Sequence, residues 1–388
     1  MKKFRSIEEN EFLHLKLILT LIIVCAFGCL MVFSASSYTC SQKSMYNYDS
    51  MYMLKKQAIF MIVGFAVLFI LQFFPLARIL DKFAKPIYIM GIFSIFLLLT
   101  PLEVSSHGAT RWIRIAGVQF QVAEVVKISV IVILAHMVKK YAKFLANPKL
   151  TIRMWITGGI PAVLLFFISS DLSSTVVILA IIFGITFITN GTWKLHFAVA
   201  GAGVTIVLGY VMYVAKHLPS PDELEQVSFR VGRIAAWINP EMYASDQGYQ
   251  TLNSLYAIGS GGIFGKGIGM SIMKQGLIPE AQNDMIFAII VEELGIIGGS
   301  VLIVLFAKLL YLLTRIAVKT RNIMESTLVI GVLIHIGVQA FFNIAVALNL
   351  LPNTGIGLPF ISYGGTSILC LMVEMAMVYS IGKVKIKK

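Results

Sequence analysis

The chain has 388 residues, 58% of them hydrophobic and only 13% charged, with a mean hydropathy of +0.85. A soluble domain carries about twice that charged fraction, so aqueous multi-domain readings are excluded and a polytopic membrane protein is indicated. The net charge of +13 reflects where loops sit relative to a bilayer, not a nucleic-acid footprint.

Ten apolar stretches follow in order, at approximately Leu17 to Ser37, Ala58 to Phe74, Pro86 to Leu102, Val122 to Met137, Trp155 to Ser169, Ser174 to Thr189, Phe197 to Val214, Met285 to Tyr311, Ser326 to Leu348 and Gly365 to Ile381. They predict an all-α membrane protein, a bundle of ten transmembrane helices forming one polytopic domain over residues 1–388. If the N-terminus is cytoplasmic, the inside segments hold most of the Lys and Arg, including Lys383, Lys385, Lys387 and Lys388, although the outside segments are longer. The positive-inside rule then places both termini in the cytoplasm. The first stretch is long and lacks a small-residue cleavage site, so it reads as a retained span. Cys25, Cys29, Cys40 and Cys370 make no paired framework, and only Cys40 faces the oxidising side.

One connection is long. Lys216 to Asp284 faces outward between the seventh and eighth spans, and ordered loops of that length are usually functional. Within it, Phe229 to Trp237 sets Arg230 and Arg233 among apolar residues at helical spacing, which predicts a short helix along the membrane surface. The run from Gly259 to Gly269 is too rich in glycine for a stable helix and lets backbone approach a ligand. Beyond the ninth span, Leu351 to Ser367 is dense in turn residues, which predicts a defined re-entrant loop. There is no internal repeat of the kind that marks many transporters.

Asp284 is the pivotal candidate. It stands at the entrance to an apolar span, where a carboxylate carries a desolvation cost and must be paired or carry chemistry. A helix starting near Pro279 would put Glu280 and Asp284 in its first turn on one face. Its dipole would help keep Asp284 ionised. Asp284 then reads either as a helix cap or as a general base toward a sugar hydroxyl. Arg230, Arg233, Lys266 and Lys274, with the glycine run, read either as a cradle for a diphosphate or as interfacial cations on lipid phosphates. Glu124 and Lys127 share one side of the fourth span, as a neutral pair or as the lining of a polar cavity. Arg111, Trp112 and Arg114 precede that span and suit an anionic headgroup. His335, Gln339 and Asn343 form one stripe on the ninth span, able to bind helices together by hydrogen bonds. Glu374 on the tenth span needs a partner, and this stripe offers one. Glu292 and Glu293 before Gly295 mark a helix irregularity. No His/Cys cluster has metal-site spacing.

These segments resemble the SEDS family (shape, elongation, division and sporulation), the group of FtsW, RodA and SpoVE, over roughly Ser34 to Ser380. The resemblance is carried by Arg230 and Arg233, Gly248-Tyr249-Gln250, Gly261-Gly262, Gly265-Lys266-Gly267, Pro279-Glu280, Asp284, Glu292-Glu293-Leu294-Gly295 and Leu358-Pro359-Phe360 running into Ser362-Tyr363-Gly364-Gly365. Val32-Phe33-Ser34-Ala35-Ser36 and the form of the Leu351 to Ser367 loop look more like the division and sporulation branch. The chain departs from the family pattern at Val122-Ala123, at Ser170 and Ser173 around Asp171, and at Asn283.

The resemblance implies a ten-span bundle in the bacterial cytoplasmic membrane that polymerises lipid II into glycan strands. It implies that Asp284 is essential for polymerisation, and that Glu124 and Lys127 line a cavity near it, with the Arg111-Trp112 loop on the same outer face. It also implies a class B penicillin-binding protein as partner, in the setting of divisome proteins and membrane lipid. On this reading Asp284 takes the proton of the acceptor 4-hydroxyl. The leaving diphosphate is stabilised by Arg230, Arg233, Lys266 or Lys127, or by a divalent cation (Mg2+ or Mn2+). Arg111, Trp112, Glu124 and Glu280 complete the substrate-binding set. The alternatives are a lipid II flippase and an inactive scaffold that recruits the transpeptidase.

Overall fold

The computed structural model describes residues 2–106, 109–115, 117–223 and 228–381; Lys383 to Lys388 lie outside the described residues. The helices are α1 (Lys2–Gln42), α2 (Tyr52–Leu71), α3 (Leu76–Lys82), α4 (Ala84–Phe96), α5 (Val122–Lys140), α6 (Pro148–Ser169), α7 (Leu172–Thr189), α8 (Trp193–Lys216), α9 (Phe229–Ile238), α10 (Gln247–Gly261), α11 (Ile286–Lys319), α12 (Ile323–Ala347) and α13 (Gly365–Ser380). Three strands, β1 (Glu103–Ser106), β2 (Ala109–Ile115) and β3 (Val118–Gln121), lie between α4 and α5.

Each apolar stretch read from the sequence falls mainly on a helix. Among the described residues, seven helices are long and apolar enough to cross a bilayer, and α3 with α4, bent by 73° at their junction, would make an eighth. α5 misses that standard because Glu124, Lys127, Lys139 and Lys140 charge its ends, and α13 because it has 16 residues. Along α8 only His196 and Val214 are buried, so almost all of its apolar surface faces outward, as lipid contact requires.

The sheet departs from the all-α expectation. It is antiparallel in the order β1-β2-β3, with Arg114 opposite Gln119 and Trp112 opposite Gln121. Strands this short carry alternating residues and a Gly117 turn at φ +82°, a pattern that a search for long apolar runs does not register. β3 runs directly into α5, so the sheet fixes the N-terminal end of that helix.

The core is built around α12, which packs on α11, α7 and α5, while α13 packs chiefly on α2. α9 is the short helix expected from Phe229 to Trp237, capped by Ser228, whose Oγ accepts from Val231 N at 3.4 Å. The glycine run, whose first three residues still belong to α10, has a structural role. α11 breaks at Gly295 (φ +69°, ψ −172°), and the glycine segment supplies backbone partners for the break. Lys266 N donates to Glu292 O at 3.0 Å, Gly267 N to Glu293 O at 2.9 Å, and Ile296 N to Gly262 O at 3.0 Å. A Cβ at Gly265 would sit 2.2 Å from Glu293 O, so only glycine permits this approach.

Candidate active site

Asp284 does not lie in a helix. α11 begins at Ile286, and residues 279–285 form turns in which Glu280 takes φ +52°. Glu280 and Asp284 therefore share no helical face, and Asp284 caps nothing. The Glu280 carboxylate instead accepts from Gln282 Nε2 at 3.1 Å and Asn283 Nδ2 at 2.6 Å, fixing the turn.

The loop between α12 and α13 folds onto this turn. Tyr363 N donates to Gln282 O at 2.9 Å, and Ser362 Oγ donates to Asn283 O at 2.6 Å. Asn343 Nδ2, from α12, donates to both Asp284 O and Ile356 O at 2.8 Å. Gly355, at φ +72°, presses its backbone on the carboxylate: a Cβ there would lie 3.3 Å from Asp284 Oδ2 and 3.9 Å from Arg111 Nη1. Three segments distant in sequence thus converge on one half-buried carboxylate.

Two guanidiniums face it. Arg111 on β2 has Nε 4.0 Å from Asp171 Oδ1. Asp171 is buried and caps α7, accepting from Ser174 N at 3.1 Å. Arg233 on α9 donates from Nη1 to Asn353 O at 3.0 Å. Burial, aided by Glu280, pushes the Asp284 carboxyl up to about 6, against the pull of Arg111 and Arg233. Desolvation outweighs the cations, so the carboxyl is raised where a place in the first turn of a helix predicts an ionised one.

A base that titrates near 6 is mostly ionised at neutral pH and strong enough to accept a hydroxyl proton. We expect turnover to be flat above about pH 7 and to fall about tenfold per unit well below pH 6, because the protonated acid cannot serve as base. A pH–rate profile of the purified protein checks this.

Arg233 also lines a cavity of about 190 Å3, together with Asp246, Gln247, Gln250, Pro279 and Asn353 among others. Gln250 bridges its walls: Oε1 accepts from Asn353 Nδ2 at 2.9 Å and Nε2 donates to Pro279 O at 3.3 Å. Such amide and carboxylate groups suit a neutral polyhydroxy ring.

The other expected residues divide. Lys127 Nζ meets Glu124 Oε1 at 2.7 Å and Gln339 Oε1 at 3.4 Å. Gln339 Nε2 in turn donates to Gly357 O at 3.1 Å, so this buried pair supports the loop over Asp284. Trp112 is half-buried on β2 next to Arg111. Arg230 is exposed and stacks over the Phe166 ring at 4.2 Å.

Lys266 and Lys274 are spoken for. Lys266 pairs with Glu292 at 2.8 Å and Lys274 with Glu293 at 2.8 Å. Two buried carboxylates beside a helix break demand cations, which is why these lysines do not form a cradle with Arg230 and Arg233.

Among the described residues no three His, Cys, Asp or Glu side chains gather as a metal site. The anion acting on Asp284 is Glu280, already bonded to two amides, and two arginines stand close by. This donor set does not fit a resident Mg2+ or Mn2+.

Sequence reasoning missed Asp171, Asn353 and Gly355 as parts of the site. Asp171 carried a signal, being a carboxylate in a tight turn between two apolar spans.

A sequence model of FtsW, RodA and SpoVE, described as "Cell cycle protein", matches residues 14–386. The chain belongs to the FtsW/RodA/SpoVE family. It is 30% identical over 384 residues to a probable peptidoglycan glycosyltransferase FtsW of Geobacter sulfurreducens, covering 97% of this chain and 96% of that protein. It is 32% identical over 366 residues to the corresponding protein of Enterococcus hirae (93% and 90%), and 30% over 377 residues to stage V sporulation protein E of Bacillus subtilis (95% and 96%). Among solved structures, RodA of Thermus thermophilus aligns with TM-score 0.64 at 22% identity over 94% of both chains. A chain of a peptidoglycan synthase complex that coordinates polymerization and crosslinking aligns with TM-score 0.71 at 21% identity, over 94% of this chain and 95% of that one. This family member thus shares the fold of both structures.

Proposed function

We propose that this family member is a peptidoglycan glycosyltransferase that polymerises lipid II at the outer face of the bacterial cytoplasmic membrane, in septal wall synthesis. The observation that carries the reading is the Asp284 carboxylate within electrostatic reach of Arg111 and Arg233, the second of which also lines a polar cavity. FtsW-named relatives over nearly the full length support it. We read all ten apolar helices as spans, with both termini cytoplasmic and Lys216 to Asp284 outside, as the distribution of Lys and Arg favours.

Asp284 accepts the proton from the acceptor sugar 4-hydroxyl as that oxygen attacks the anomeric carbon of the donor chain. The bond to undecaprenyl diphosphate breaks with inversion. A diphosphate leaves without protonation, so no second carboxylic acid is needed. It needs cations where its charge develops, and Arg111 and Arg233 supply them. Asp171 holds Arg111 from behind. A class B penicillin-binding protein that crosslinks the product is the expected partner, in keeping with the synthase complex that shares this fold.

Arg233→Ala is expected to lower turnover about a hundredfold by removing one such cation, whereas Arg230→Ala, over Phe166, should stay within about threefold. Steady-state polymerisation by the two purified variants checks the contrast.

Fluorescent lipid II supplied on the outer side tests the reaction itself. A polymerase yields a ladder of lengthening glycans there; a flippase, which the buried charges of α5, α12 and α13 could also serve, yields relocated lipid II and no ladder.

A further inference from the structure

His335 and Glu374 stand outside the mechanism, yet both are fully buried. His335 Nδ1 lies 2.8 Å and 3.0 Å from the two carboxylate oxygens of Glu374. The two residues sit on α12 and α13, the legs on either side of the loop that carries Gly355. By helical rise the pair is about 20 Å along α12 from the loop and about 14 Å along α13. The legs lean mainly on different neighbours, α12 on α11, α7 and α5, and α13 on α2, with α3 and α5 touching both. The pair is thus a cross-tie between the two legs, some turns below the loop.

Its reach toward Asp284 runs up one face of α12. One turn above His335, Gln339 holds Gly357 O and takes Lys127 Nζ. One turn higher, Asn343 holds Asp284 O and Ile356 O together. Cys370, one turn before Glu374, lies in electrostatic reach of Glu124, Lys127 and Glu374, so the Glu124–Lys127 and His335–Glu374 pairs belong to one buried column. A twist or slide of α12 against α13 would move Asn343, on α12, and Ser362 and Tyr363, just before α13, in different directions, and the turn that carries Asp284 is bonded to both.

An apolar pair at these two positions would hold the helices at least as firmly. Stabilisation alone therefore gives no reason for burying a carboxylate and an imidazole. A fixed register does, because a directional contact from one imidazole nitrogen to both carboxylate oxygens tolerates less sliding than a hydrocarbon contact.

We propose that His335 and Glu374 are positioning residues that set the register of α12 against α13 and so aim Asp284 and its overlying loop. The proposal rests on the glycosyltransferase reading for its kinetic consequence, but not for its structural one.

The test compares wild type, Glu374→Gln, the double variant His335→Leu/Glu374→Leu, and the exchanged pair His335→Glu/Glu374→His. Each is measured per folded molecule for kcat and KM with lipid II, for Tm, and for backbone hydrogen exchange of residues 355–358. In the double Leu variant Tm and KM are expected to hold, while kcat falls at least about tenfold, as a misplacement of under 1 Å would produce. Exchange at 355–358 is expected to quicken, and the exchanged pair to recover most of kcat. Wild-type kcat and exchange in either folded variant lacking the pair would overturn the proposal, as would a loss confined to KM. If the double variant does not fold, Glu374→Gln decides by the same criteria. Wild type that makes no glycan would instead defeat the glycosyltransferase reading, and the exchange result would still judge the cross-tie.

Discussion

Asp284→Asn is expected to abolish glycan synthesis while leaving a protein at least as stable as the parent. Loss of a positioned general base costs about 10²- to 10⁴-fold, and the carboxylate that acts on Asp284, Glu280, is already bonded to Gln282 and Asn283. The stability half follows from the raised pKa. The carboxyl titrates near 6 in the folded protein and near 4 in an unfolded chain. The folded state therefore binds the proton more tightly than the unfolded state between those values, and ionisation erodes stability as pH rises through that window. Above it the cost is complete, so at neutral pH the neutral Asn relieves it. Thermal unfolding of both proteins at pH 5 and pH 7.5 checks this: the advantage of the variant should be larger at pH 7.5. A group that the fold tolerates for chemistry at a cost in stability behaves in this way.

The second large effect concerns folding. Glu293 is wholly buried and holds Lys274 Nζ at 2.8 Å, with Ser34 Oγ donating to it at 2.6 Å. Lys274 is only 5% exposed. Glu293→Ala strands that ammonium, and breaking a buried pair costs about 3–5 kcal/mol, a large share of the roughly 5–15 kcal/mol that a folded protein has. We expect little folded Glu293→Ala protein to survive detergent extraction. Adding Lys274→Met should restore much of the yield, because the stranded charge is gone. Glu292→Ala should be milder, since its partner Lys266 is 28% exposed and can turn to water. Size-exclusion profiles of the four proteins measure the order.

Much of the site was legible as local spacing. Asp284 stood out as a carboxylate at the mouth of an apolar run. Glu124 with Lys127, and His335 with Gln339 and Asn343, fell on common faces because helical period is a local property. The break at Gly295 was marked by two acids before a glycine. What spacing could not give was the choice of partners. Lys266, Lys274, Arg230 and Arg233 all looked suited to a diphosphate, but the kinked α11 claims both lysines through residues 19 and 26 positions away, and Phe166 takes Arg230. Arg111 reaches Asp284 through a small sheet whose strands are too short to announce themselves. The start of α11 was misplaced because Pro279 and Glu280 resemble a helix opening, while the left-handed Glu280 turns the chain toward the loop.

The central claim is that Asp284 removes the proton from the attacking hydroxyl. Its most direct test is a single-turnover experiment in which wild type and Asp284→Asn are loaded with lipid II, and occupancy and bond formation are followed in the same sample. Equal occupancy with glycan formed by wild type alone is the predicted result. Glycan formed by Asp284→Asn at the wild-type rate would contradict it.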